Sequence, residues 1–291
     1  MKNINQFITE YIVNKKLDKP IDSEDHYEYF PKTKNELIEN IKELFYNNIY
    51  DFNCIDTSLI LDMSGLFYKN IFSNIPFNIS NWNVSNVKSM RNMFKGCKFF
   101  NCDLSKWDVS NVEDMSNMFY GCAYFTGKGL DKWNVSNVKY IARMFTNCGN
   151  FDCDLSNWNI HNVRSTFGLF WNCVNFKGKG LENWDVSNVI NMDSMFAFCT
   201  KFNCNLSKWN VSTNTTDMGA MFRNCSKFDS DLSNWDVSNV KHMDEMFVNC
   251  SKFKGKGLEN WDVSNIEPTN MSDMFDNCQS LNKPSWYKEN I

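Results

Sequence analysis

Proline is scarce in this chain, five residues in 291, and glycine contributes only twelve. That leaves no basis for collagen, a polyproline spacer or a flexible low-complexity linker. Histidine is scarcer still. His26, His161 and His242 share no common spacing, so neither a histidine-based metal site nor a Ser-His-Asp constellation has the side chains it needs. Positive charge is not in excess either: 30 Lys and Arg stand against 34 Asp and Glu for a net charge of −4. The basic residues are dispersed, and a nucleic-acid partner is not expected without a basic stripe. The opening MKNINQFITEYIVNKK contains no unbroken apolar segment of signal-peptide type, and no run reaches the length of a membrane span. Neither export nor membrane insertion is expected, and the reading that follows is an intracellular location.

Aromatic residues, by contrast, are abundant at 15% of the chain, and their placement is regular. Trp82, Trp107, Trp133, Trp158, Trp184, Trp209, Trp235 and Trp261 follow one another at intervals of 25 or 26 residues. Self-similarity at this period marks a solenoid, in which a unit cannot bury its apolar face alone and stacks on its neighbours. A single coil buries too little to offset the entropy of ordering it, so isolated coils are expected to be unfolded.

Two periodicities meet inside one unit. Trp82 and Val84 alternate with Asn83 and Ser85, as in a short strand with one buried face. Val87, Met90, Met93, Phe94 and Cys97 then follow the stripe of a two- to three-turn helix, with Ser85 or Asn86 at its N-cap. Strand, turn, short helix and return loop predict an α/β fold: a right-handed leucine-rich-repeat-like solenoid of about eight coils. Residues 1–53 read as an N-terminal helical cap. Its first helix would carry Ile4, Phe7, Ile8, Tyr11 and Ile12. Its second begins at Thr33, whose spacing to Glu36 is that of a capping box. Residues 54–81 form a degenerate entry coil, 82–285 the regular coils and 286–291 a C-terminal cap.

The motif W-[DN]-V-S-N-V-x-x-M-x-x-M-F-x-x-C-x-x-F, followed by DLS or GKGL and the next Trp, recurs in WDVSNVEDMSNMFYGC and WDVSNVKHMDEMFVNC. It resembles the repeat of BspA-like bacterial surface proteins, also described as the Mycoplasma lipoprotein-associated surface-protein repeat, over residues 54 to about 286. The resemblance implies a non-enzymatic interaction or adhesion module, and related repeats occur in large DNA viruses and some protists. The expected function is therefore a protein-interaction scaffold or recognition surface, with a surface or virion-displayed adhesin binding a host protein or glycan as the alternative. Another protein is the expected partner and a glycan the second choice.

Within that frame the chemistry-bearing residues read as structural. Cys97, Cys122, Cys148, Cys173, Cys199, Cys225, Cys250 and Cys278 each end the apolar stripe, where a free thiol acts as a small hydrophobe. Cys102, Cys153 and Cys204 add a C-x4-C spacing but no convergent set of four zinc ligands, so no metal or other cofactor is expected. The GKG triplets at Gly127–Gly129, Gly178–Gly180 and Gly255–Gly257 lack the P-loop context and read as turns. Asn86, Asn111, Asn137, Asn162, Asn188, Asn239 and Asn265 form a column expected to bond backbone or stacked neighbours. Asp108, Asp185, Asp236 and Asp262, one per coil, form a solvated row or a polar ligand face, with no paired acid for catalysis. What departs from the repeat is aromatic: Tyr120, Tyr124, Tyr140, Phe167, Trp171 and Phe198 stand in the middle coils where other coils carry polar or small residues. Extra aromatics outside the core columns are interface anchors or local packing between neighbours.

Overall fold

The computed structural model describes residues 27–68, 74–211 and 214–288. The expected first helix, at Ile4 to Ile12, lies outside these residues. Helix α1, Lys34–Tyr46, starts where the capping box placed it: Thr33 accepts from the Glu36 amide, and the Glu36 carboxylate accepts the Thr33 amide in return. This exchange satisfies two amides that a helix start leaves without partners. Leu37, Ile41 and Leu44 are buried in one continuous core with Phe52 and Ile55. Lys34 Nζ donates to Asp62 and Ser64 of the first coil at 3.0 and 2.9 Å.

The remainder is a repeat fold whose units stack through their backbones, and its local structure corrects the expected strand-and-helix unit. Among the described residues α1 is the only α-helix. The other helical elements are short 3₁₀ turns at Leu130–Lys132, Leu181–Asn183, Leu258–Asn260 and Pro268–Met271. Strand pairing is reduced to single parallel bridges, such as Asp62 to Ser89, Ser89 to Asp114 and Asp114 to Tyr140. Where the helix was expected, the chain runs through tight turns closed by i to i+3 bonds: Met118 N–H to Met115 O at 3.1 Å, Tyr120 to Asn117 at 3.1 Å and Cys122 to Phe119 at 2.9 Å. The intervening amides leave the coil. Met115, Asn117, Phe119 and Gly121 donate to Tyr140, Ala142, Met144 and Thr146 of the next coil at 2.8–3.0 Å.

The physical cause is backbone conformation. Asn117 and Gly121 have φ of 54° and 76°, and each regular coil repeats this pair of left-handed residues four positions apart. A left-handed residue interrupts an α-helix but fits the third position of a type II turn, where asparagine and glycine are the tolerated residues. Met115, Met118, Phe119 and Cys122 point inward all the same and are fully buried. The apolar spacing therefore reports the buried face correctly while being common to a helix and to a chain of turns.

Aromatic columns fill the interior. Phe94, Phe119, Phe145, Phe170, Phe196, Phe222, Phe247 and Phe275 stack coil upon coil with centroids 5.4–5.8 Å apart. A second phenylalanine leans on each of the first seven, as Phe125 does on Phe119 at 4.2 Å. Each tryptophan of the repeat column is anchored by its indole N–H on a carbonyl of the preceding coil: Trp133 on Leu104 at 3.1 Å, Trp209 on Leu181 at 2.7 Å. Trp286 continues the column, bonding Leu258 O at 2.7 Å. A buried indole N–H without such a partner would cost the full desolvation of the donor.

Candidate functional site

The one-per-coil polar rows are consumed by the architecture. Asn111 Nδ2 donates to Ser85 O at 2.8 Å and Asn137 Nδ2 to Ser110 O at 2.7 Å; equivalent bonds at Asn162 and Asn265 continue the column. The acidic row closes Asx turns, Asp108 accepting from the Ser110 amide at 3.0 Å and Asp236 from Ser238 at 3.0 Å. Hydrogen bonds from Ser110 hold the Asp108 carboxyl below its ordinary range. His161 pairs with Asp185 of the next coil at 3.0 Å. Among the described residues, no three His, Cys, Asp or Glu side chains converge to hold a metal ion.

The cysteines behave as a packing column. All twelve are free thiols. Cys122, Cys148, Cys173 and Cys199 are fully buried and donate to Phe94, Phe119, Phe145 and Phe170 carbonyls one coil back, at 3.0–3.1 Å. Burial pushes the Cys97 thiol up to about 12, far from the ionised state that nucleophilic or ligand chemistry requires. Cys153 and Cys204 have a steric origin: a Cβ at Gly127 or Gly178 would lie 2.6 or 2.7 Å from their Cβ atoms, so each fits over a glycine of the preceding coil.

The GKG triplets are turns, as read from the sequence. Gly127 and Gly129 have φ of 85° and 93°, and a Cβ at Gly129 would collide with the Ser105 backbone. The lysine between them reaches back to the DLS aspartate of the preceding coil: Lys128 to Asp103 at 2.9 Å, Lys179 to Asp154 at 2.8 Å, Lys256 to Asp231 at 2.6 Å. Its carbonyl accepts the neighbouring leucine amide, Leu104 N–H to Lys128 O at 3.1 Å. Where no GKG follows, Ser230 Oγ takes over and accepts the Leu206 amide at 2.8 Å. A shallow polar depression here, lined by Asn205, Asp231 and Lys256, is made of groups already bonded within the chain.

One region is built differently. Tyr120, Phe167 and Trp171 line a cleft of about 390 Å³ together with Arg143, Thr146, Gly168 and Ser194. Gly168 is its floor: a Cβ there would press on Arg143 Cγ at 3.2 Å, so glycine lets the arginine lie across it. The guanidinium then sits 4.5 Å from the Phe167 ring centroid, a cation–π contact. Thr146 Oγ1 fixes the floor by donating to Gly168 O at 2.7 Å. Trp171 packs edge-on against Phe198 at 5.9 Å, and Arg223 lies over the Phe198 ring while pairing with Glu245.

The backbone marks the same region. Arg143, Ser194 and Phe198 have φ of 56°, 57° and 64°, at positions where coils one and two carry Asn92, Gly96, Asn117 and Gly121. Left-handed backbone is uncommon for arginine and a genuine outlier for a residue as bulky as phenylalanine. Strain of this kind persists where the surroundings over-determine it, and it concentrates at binding sites.

Four of the six aromatics singled out in the sequence thus belong to one cluster: Tyr120, Phe167, Trp171 and Phe198. Tyr124 packs instead against Phe99, the rings tilted at 34° with centroids 5.2 Å apart, and Tyr140 stands apart, 59% exposed. Arg143, Gly168, Thr146 and Arg223 were not legible as site residues by aromatic enrichment. The available signal was the substitution of arginine and phenylalanine in the asparagine-or-glycine turn columns.

Neither a curated protein nor a solved structure matches this chain. No helix among the described residues is long and apolar enough to cross a membrane. A family model described as Mycoplasma protein of unknown function, DUF285, matches in tandem at residues 35–129, 108–180 and 170–287; together these matches span nearly the whole chain, which therefore belongs to that repeat family.

Proposed function

We propose that this protein is a non-enzymatic recognition scaffold, a right-handed solenoid of leucine-rich-repeat type akin to the BspA-like repeats, that binds another protein through the cleft of the middle coils. The observation behind this reading is the grouping of Arg143, Phe167, Trp171 and Phe198, with Arg143 and Phe198 held in left-handed backbone. Aromatic and arginine side chains are the residue types that dominate interface energetics, and here they stand outside the core columns that already stabilise the stack. The asparagine and aspartate rows of the coils, by contrast, serve inter-coil bonds and Asx turns.

A photo-crosslinking phenylalanine analogue at Tyr120, introduced into the full chain in its source cells, tests the reading. The expected result is a covalent adduct with a polypeptide, lost when Phe167 and Trp171 are replaced by alanine in the same chain, and no adduct from the analogue at Lys106. Absence of any adduct from position 120 would refute the assignment of this cleft.

A further inference from the structure

The face that carries the cleft is electrically polar along the stack. Its exposed and half-buried turn positions in the three coils before Trp171 hold Arg91, Lys95 and Arg143 with one carboxylate, Asp114. In the coils after it they hold Asp193, Asp217, Asp244, Glu245, Asp273 and Asp276 with one cation, Arg223. Apart from the Arg223–Glu245 pair, these charges form no ion pair with one another among the described residues. Among the described residues neither Arg91 nor Arg143 forms an ion pair with a carboxylate, and Asp244, Asp273 and Asp276 have no basic partner. Burial, together with the Asp217 and Asp244 charges, holds the Asp193 carboxyl above its ordinary range against the opposing pull of the Ser194 hydroxyl and Arg143.

One coil and three coils either side of the Phe167–Trp171 coil, the order of these charges is complementary to its own reverse. One coil before it stands Arg143 and one coil after it Asp193. Three coils out, Arg91 and Lys95 answer Asp244, whereas two coils out Asp217 stands opposite Asp114 and Arg223 is taken up by Glu245 of its own chain. We infer that the occupant of this face is a second copy of the same chain, docked antiparallel about a two-fold axis through the Phe167–Trp171 coil. An isologous interface requires this property: residue i meets j, and j meets i. The aromatic centre with its charged flanks also has the anatomy of a specific interface, apolar in the middle and polar at the rim. The inference rests on the cleft being an interaction site and names its partner.

The test is sedimentation of the full chain and two charge-reversed variants whose substitutions the repeat itself shows to be tolerated. Arg91→Asp with Arg143→Glu places in those columns the residue types found there at Asp244 and Glu245. Asp193→Arg with Asp244→Arg places the type found at Arg91. The parent is expected to be a dimer that dissociates as salt rises. Each variant alone should dissociate about tenfold or more readily, since like charges then face each other. An equimolar mixture of the two should regain the parent's dimer mass, because the carboxylates introduced at positions 91 and 143 of one copy would meet the guanidinium groups introduced at positions 244 and 193 of the other. A parent that stays monomeric at low salt, or a dimer indifferent to both variants and their mixture, would overturn the inference. An adduct from Tyr120 with a different polypeptide would in that case leave the interaction reading intact.

Discussion

Among single residues, the cysteines and the left-handed turn positions lead to distinct expectations. Cys54, Cys153 and Cys278 are half-buried while the other nine are buried. Iodoacetamide at pH 8 should therefore label at most those three in the folded protein and all twelve after unfolding, as read by intact mass. The same burial makes stability depend on alkali. Burial raises the Cys97 thiol to about 12 and the Cys102 thiol to about 11, whereas a thiol in the unfolded chain ionises near about 8.5. The folded state thus binds more protons between these values. Its stability should be fully present below about pH 8.5 and fall as pH rises toward 12, steeply because the column repeats in every coil. Urea melts at pH 7, 9 and 10 check the sign; a midpoint that rises with pH would contradict it. Ala220 also has left-handed backbone, at φ 49°, but no ring contact to maintain it. Ala220→Asn should stabilise the chain by about 0.5–1 kcal/mol. Phe198→Asn relieves the same strain but loses the Trp171 edge contact, so its melting point should stay close to the parent's while binding at the cleft weakens.

Each coil is a polygon of turns, and its side chains are chosen against the coil before it. GKG after DLS, cysteine after GKG and serine after CNLS are matched pairs, joined by the Lys128–Asp103 bridge, by Cys153 over Gly127 and by Ser230 beneath Leu206. The tightest of these is Gly129. Gly129→Ala combines left-handed backbone with a clash on Ser105 and should cost about 3 kcal/mol. Differential scanning fluorimetry would show this as a drop of several degrees. An unchanged melting temperature would mean that the turn relaxes more freely than its packing implies.

Across the full stack, the matched pairs make two coils, not one, the natural unit of exchange. Deleting residues 133–183 removes two coils and brings Gly127 against Cys204, a pairing equivalent to the native contacts at Cys153 and Cys204. That protein should fold cooperatively with a modestly lower melting temperature and lose the cleft, since stability in stacked repeats is close to a sum of unit and nearest-neighbour contributions. Deleting residues 158–183 alone sets Cys204 against Cys153, with no glycine to receive it, and should destabilise the chain more than the larger deletion does. Circular dichroism melts of the two deletions decide the order.

The repeat, the buried columns and the α1 capping box were legible before any coordinate, because these follow from spacing: Trp, Met, Phe and Cys return in register, and Thr33 with Glu36 lie one helical turn apart. The aromatics of the cleft were visible in the same way, though not which of them would meet. Between a helix and a chain of turns, spacing is neutral. Both place Met115, Met118, Phe119 and Cys122 on one face, and the choice falls to amides such as Asn117 N–H finding their acceptor in the next coil rather than in their own. Stacking also brought Arg143 over Phe167 across Gly168, residues whose separate positions in the repeat become one site only when neighbouring coils lie against each other.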